Sequence, residues 1–147
     1  MYKHLLVATD GSKLSAKAVT HAIALARAVR AKLTAFYAAP DYPASVYGDG
    51  IAYMPITHKE YADACGKDVE RIMRPIALKA QAARIEFNSA QVIGGAPWEA
   101  ILAAAKKNKC DAIVMASHGR RGVSALLLGS ETQKVLTHSK LPVIVVH

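Results

Sequence analysis

The residues best suited to chemistry are Met115-Ala116-Ser117-His118-Gly119 and, after nine intervening residues, Gly129-Ser130. The first group ends an apolar run that starts near Asp111 in small, polar residues. The second opens a helical pattern. Backbone N–H groups exposed at the end of a strand and at the start of a helix are what a phosphate chain requires. Gly119 lets an anion approach the main chain closely. The Ser130 hydroxyl either caps the last helix or bonds a phosphate. The plain alternative is that Gly119 and Gly129 are turn glycines and Ser130 only a cap, since isolated glycine spacings are weak signals. His118 is the one acid/base candidate nearby, and no partner that would orient it is visible in the sequence. Arg120 and Arg121 either neutralise phosphate charge or form a solvated basic loop. Neither G-x-x-x-x-G-K-[ST] nor G-x-G-x-x-G occurs.

The elements that must position these residues follow from periodicity. Residues 4–9 are a continuous apolar run that ends at Asp10-Gly11-Ser12, which reads as a buried strand, a turn and a helix start. From Ser12, a plausible N-cap, apolar residues recur at helical spacing through Val29. Leu33–Ala38 is a second strand. Residues 39–56 hold three prolines and two glycines, a long irregular connection that could be a lid over a ligand or a plain linker. Thr57-His58-Lys59-Glu60 predicts a capping box. It opens a helix to about Ala83, in which Pro75 should produce a kink. Ile85–Val92 is a more polar strand that suits a sheet edge. Pro97 suits the first turn of a helix whose inner face is Ile101, Leu102 and Ala105. Ala112–Met115, Ser130 to about Ser139, and Pro142–Val146 complete the series as strand, helix and strand.

Alternation of apolar strands with helices predicts one α/β domain over 1–147, a doubly wound, five-stranded parallel sheet. With strand order 3-2-1-4-5 the winding reverses between the first and fourth strands, where ligands bind in such sheets. That brings Ala8-Thr9-Asp10 opposite residues 115–119. Asp10 could equally be an Asx-turn residue beside the first helix.

At 147 residues and 52% hydrophobic composition, the chain can bury its own core and is not a disordered segment. Cys65 and Cys110 stand far apart in ordinary contexts, and the histidines lack metal-ligand spacing. No metal site is predicted. No apolar run approaches the roughly 18 residues of a membrane helix, and the apolar start is too short for a signal peptide, so a cytoplasmic protein is expected. The net charge of +8 favours anionic partners. Scattered basic residues without interleaved aromatics argue against a dedicated nucleic-acid surface.

The segment 111–146, DAIVMASHGRRGVSALLLGSETQKVLTHSKLPVIVV, resembles the C-terminal signature of the universal stress protein family. LLVATDGS at 5–12, Phe36-Tyr37-Ala38-Ala39-Pro40 and VIGGAPWEAIL at 92–102 extend the resemblance over nearly the whole chain. ATP-binding members carry G-x2-G-x9-G-[ST]. Here the pattern is Ala116-x2-Gly119-x9-Gly129-Ser130, with alanine in place of the first glycine. The resemblance implies a Rossmann-like, adenine nucleotide alpha hydrolase-like fold that binds ATP, with or without Mg2+, and hydrolyses it slowly at most. It implies that Asp10 bonds ribose or adenine, Ala8 and Thr9 wall the adenine, and the Tyr37 backbone reads its edge. Met115, Ala116, Ser117, His118 and Gly119 then approach the phosphates, together with Gly129, Ser130, Glu131 and Thr132. It further implies a stress-response regulator, with a protein partner the sequence does not identify, and a homodimer formed through strand 142–146, an apolar edge that needs covering. The rival reading is a dimeric scaffold of the same fold that binds no nucleotide and works through protein contacts.

Overall fold

The computed structural model describes residues 1–39, 57–119 and 128–147. The long connection proposed as a lid, and Arg120 and Arg121, lie outside the described residues, apart from Ala39.

The order is β1 (His4–Ala8), α1 (Lys13–Val29), β2 (Lys32–Ala39), α2 (His58–Ala82), β3 (Phe87–Ile93), α3 (Pro97–Lys107), β4 (Ala112–Ala116), α4 (Ser130–His138) and β5 (Val143–Val146). The strands form one sheet in the order β3-β2-β1-β4-β5, and every neighbouring pair is parallel. This is the doubly wound sheet the sequence predicts.

Local chemistry sets the helix ends. Ser12 caps α1 by accepting the Ser15 N–H at 3.1 Å. Thr57 and Glu60 form the reciprocal capping box that starts α2. That helix runs on through Pro75, whose missing N–H removes one hydrogen bond from the helix interior. β3 begins two residues later than the pattern suggests. The Arg84 and Ile85 amides donate to the Gln81 and Ala80 carbonyls and so finish α2 instead of entering the ladder.

Successive strand residues point to opposite faces, and both faces are covered. Leu5, Val7, Leu33, Ala35, Val114 and Ala116 pack with Ala18, Ala22 and Ala26 of α1 and Ile72, Met73 and Ile76 of α2. The alanines, spaced four apart and fully buried, let α1 lie close on the sheet. Leu6, Phe36, Ile113 and Met115 pack with Ile101, Ala104 and Ala105 of α3 and Val135 of α4. Each fully buried Leu or Ile contributes about 1.5–3 kcal/mol. β3 and β5 are the edges. β3 is mostly exposed, as its polar sequence predicts, whereas β5 is half-buried and apolar. Among the described residues no helix is long and apolar enough to cross a membrane.

Candidate functional site

α1 leaves the end of β1 on one face of the sheet and α4 follows β4 on the other. In sheets wound this way the ligand crevice lies above the carboxyl ends of the two strands between which the winding reverses, here β1 and β4. At the β1 end a hydrogen-bonded turn holds the backbone. Thr9 Oγ1 lies 3.0 Å from Ser15 Oγ and accepts the Gly11 N–H at 3.2 Å. Asp10 Oδ1 accepts the Ser12 N–H at 2.9 Å, which is the Asx-turn alternative realised. Gly11 has φ of 76°, a conformation that favours glycine. Ser15 is a site residue that the sequence reading did not single out. Its position on the inner stripe of α1, in line with Ala18 and Val19, is the signal that would have found it.

The β4 end meets this turn directly. A Cβ placed on Gly119 would lie 2.6 Å from Asp10 Oδ2, closer than real carbon–oxygen contacts allow. The glycine is what permits the two strand ends to touch. Ser117 is buried, and its hydroxyl lies 3.2 Å from His118 Nδ1. Its N–H donates to the Val146 carbonyl at 2.8 Å, and its own carbonyl accepts the Gly129 N–H at 2.7 Å. A Cβ on Gly129 would sit 3.1 Å from His118 Cα. At Gly129 the missing side chain lets two stretches of backbone meet, and at Gly119 it leaves room for the Asp10 carboxylate.

Gly129, and not Ser130, is the N-cap of α4; Ser130 is the first helical residue and is exposed. Among the described residues no side chain caps this helix. Its first amides, in Ser130, Glu131 and Thr132, are the sort of donor that anions satisfy. The Thr132 hydroxyl donates to the Ala116 carbonyl at 3.0 Å and is buried, which fastens α4 to the end of β4. Glu131 turns towards α3: its carboxylate accepts the Trp98 N–H at 2.9 Å and pairs with Lys134 at 3.3 Å. It serves as the cap that α3 lacks at Ala96. Neither role shows in a linear reading, because both partners come from other elements.

These contacts bring the β1 end at Thr9 and Asp10, and the β4 end at Ser117, His118 and Gly119, together with Gly129; Ala8 closes β1 and Ser130 opens α4 beside them. Tyr37 and Met115 are buried in the two core clusters, so contact of theirs with a ligand is through the backbone. Ala116, the departure from the glycine pattern, is 7% exposed and packs in the cluster beneath α1 and α2.

Comparison with known proteins agrees with this architecture. Residues 1–147 match the family model described as "Universal stress protein family". A universal stress protein of Thermus aquaticus is 32% identical over 99% of both chains. Among solved structures, a universal stress protein in complex with cAMP is 30% identical, with a TM-score of 0.73 over 99% of this chain and 97% of that one. A universal stress protein from Archaeoglobus fulgidus in complex with dAMP shares the fold, with a TM-score of 0.68 at 16% identity over 99% and 98% of the two chains.

Proposed function

The chain belongs to the universal stress protein family, and on that premise we propose that it binds an adenine nucleotide, ATP with or without Mg2+, in the crevice between β1, β4 and α4. The observation that carries this reading is the glycine cradle: a side chain on Gly119 would run into the Asp10 carboxylate. The uncapped start of α4 supplies oriented amides beside it. Relatives solved with cAMP and dAMP support adenine as the base.

In this arrangement Asp10 bonds ribose or adenine, Ala8 and Thr9 wall the base, and the Tyr37 backbone reads its edge. Ser117, His118 and Gly119 lie along the phosphates, with the first turn of α4 and the Ser130 hydroxyl. A bound Mg2+ would neutralise phosphate charge. The Glu131 carboxylate is turned to the Trp98 N–H and Lys134, so it is the first-turn amides of α4 that face the phosphates. His118 has the Ser117 hydroxyl as its neighbour, 3.2 Å from Nδ1. The activity is binding, with slow hydrolysis at most, in a cytoplasmic regulator of the stress response.

Calorimetric titration with ATP, ADP, AMP and cAMP at moderate salt tests the reading. Saturable heat for at least one adenine nucleotide is the expected result. No heat, and no shift in thermal midpoint at millimolar nucleotide, overturns it. Ligand at a hundredfold its Kd adds about 2.7 kcal/mol of stability, so binding would be visible in the melt.

A second reading rests on β5, which among the described residues pairs only with β4 and leaves Val143, Ile144 and Val145 half-buried at an uncharged edge. Antiparallel pairing of two copies through 142–146 would cover that edge. If nucleotide titrations are silent and sedimentation gives a dimer, a scaffold acting through protein contacts is the better account.

A further inference from the structure

The opposite end of the sheet carries a second concave surface, far from the crevice. A cleft of about 410 Å³ lies where β1, β2 and β3 begin and α1 and α2 end. Lys3, Arg27, Arg30, Lys32 and Arg84 line it, and Glu86 is the single carboxylate among its lining residues. Glu86 pairs with Lys32 at 2.7 Å. Among the described residues no ion pair engages the other four cations. The cleft's apolar portion comes from Ala26, Ala31, Ala83 and Ile85.

Two of the arginines occupy a backbone conformation that favours glycine. Arg30 has φ of 56° and Arg84 φ of 58°, each just past the end of a helix. Glycine is the usual residue there because a Cβ is disfavoured at positive φ. Two long cations in that place, on facing helix ends and beside one cleft, suggest that the side chains are put to use.

We propose that this cleft docks an acidic segment of a partner protein, with carboxylates on the arginine and lysine rim and an apolar side chain against the alanines and Ile85. Guanidinium groups take carboxylates in bidentate geometry. No aromatic residue lines the cleft, so it offers no stacking platform for nucleobases. An inorganic polyphosphate would gain nothing from the apolar portion. The negative ends of the α1 and α2 dipoles lie beneath the cleft and disfavour a compact anion seated deep against the backbone. Carboxylates held out at the ends of long side chains avoid that penalty.

The test is fluorescence anisotropy with a labelled peptide of alternating glutamate and leucine, titrated with the full chain. An all-glutamate peptide of equal charge and an inorganic polyphosphate serve as competitors. The Glu/Leu peptide is expected to bind tenfold tighter than the all-glutamate peptide and to resist displacement by polyphosphate. The R30G/R84G double variant should weaken binding at least tenfold, while its thermal midpoint stays at or above that of the native chain. K106Q/K107Q removes the same charge from α3, outside the cleft, and should change affinity less than twofold. Equal loss in both variants would reduce the effect to net charge and overturn the proposal. So would tighter binding of polyphosphate, equal binding of the two peptides, or native affinity in R30G/R84G.

Discussion

The two ends of the parallel sheet solve opposite electrostatic problems with opposite residue types. The four described helices run antiparallel to the strands, so their N-termini gather at the carboxyl ends of the strands and their C-termini at the other. At the carboxyl end the chain uses small residues, Gly11, Gly119 and Gly129, and leaves the start of α4 without a side-chain cap. At the other end it places Arg30, Arg84 and Lys109 at positive φ, each just past a helix. One end keeps side chains away from the backbone, which suits the proposed nucleotide. The other carries long cations at positive φ, which suits the proposed acidic segment. Where a residue type opposes local preference, function is the first explanation to test.

Gly119→Val is the strongest way to break this contrast. The added side chain must displace the Asp10 carboxylate, and affinity for adenine nucleotide should fall about 100-fold, or ~2.7 kcal/mol. Because the same carboxylate accepts the Ser12 N–H, a modest fall in the thermal midpoint should accompany the loss of affinity. Unchanged affinity by calorimetry would remove Gly119 from the site. Thr132→Val comes next. It deletes the buried hydroxyl that holds α4 to the Ala116 carbonyl and should lower stability by about 1 kcal/mol in urea unfolding. A neutral result would mean that packing alone seats α4.

At the opposite end, Arg84→Gly should raise stability by up to ~1 kcal/mol, because relief of left-handed strain outweighs the lost charge at the α2 terminus. Destabilisation would show that the cation is needed for the helix end itself, and the contrast would lose half its content.

The smallest effect is a pH dependence at His4. Its Nε2 lies 2.8 Å from Thr34 Oγ1. Burial, with Lys32 nearby, lowers its pKa from the ordinary 6.5; Asp111, the Asn108 backbone and Glu86 oppose the shift. The unfolded chain then binds the proton more readily than the folded one. The contribution is fully present above pH 6.5 and is lost as pH falls from there through the lower folded value. His4→Gln should flatten that part of the stability profile. Burial pushes the nearby Cys110 thiol up to about 11, so it stays protonated throughout this window. A profile unchanged by His4→Gln would assign the slope to other groups.

Much of the fold was legible because its causes are local. Ser12 and Thr57 start their helices through atoms three residues away, and the polar run of β3 marks an edge wherever the rest of the sheet goes. The third strand was misjudged by two residues because Arg84 and Ile85 close a helix through backbone bonds that carry no side-chain signature. At the site, the motif spacing singled out Gly119 and Gly129, but it left Ser130 open between a cap and a phosphate ligand, and the cap position is held by Gly129. It also could not show that Glu131 is committed to Trp98.

The sequence by itself determined the alternation of strands and helices, the caps, the apolar faces and the family, since periodicity and capping act over a few residues. Only the tertiary structure decided that Gly119 meets Asp10, that Gly129 rests on His118, and that Arg30 and Arg84 share a cleft. Those pairs are remote in the chain. They are brought together by strand order and parallel register, which many side chains set jointly and none encodes alone.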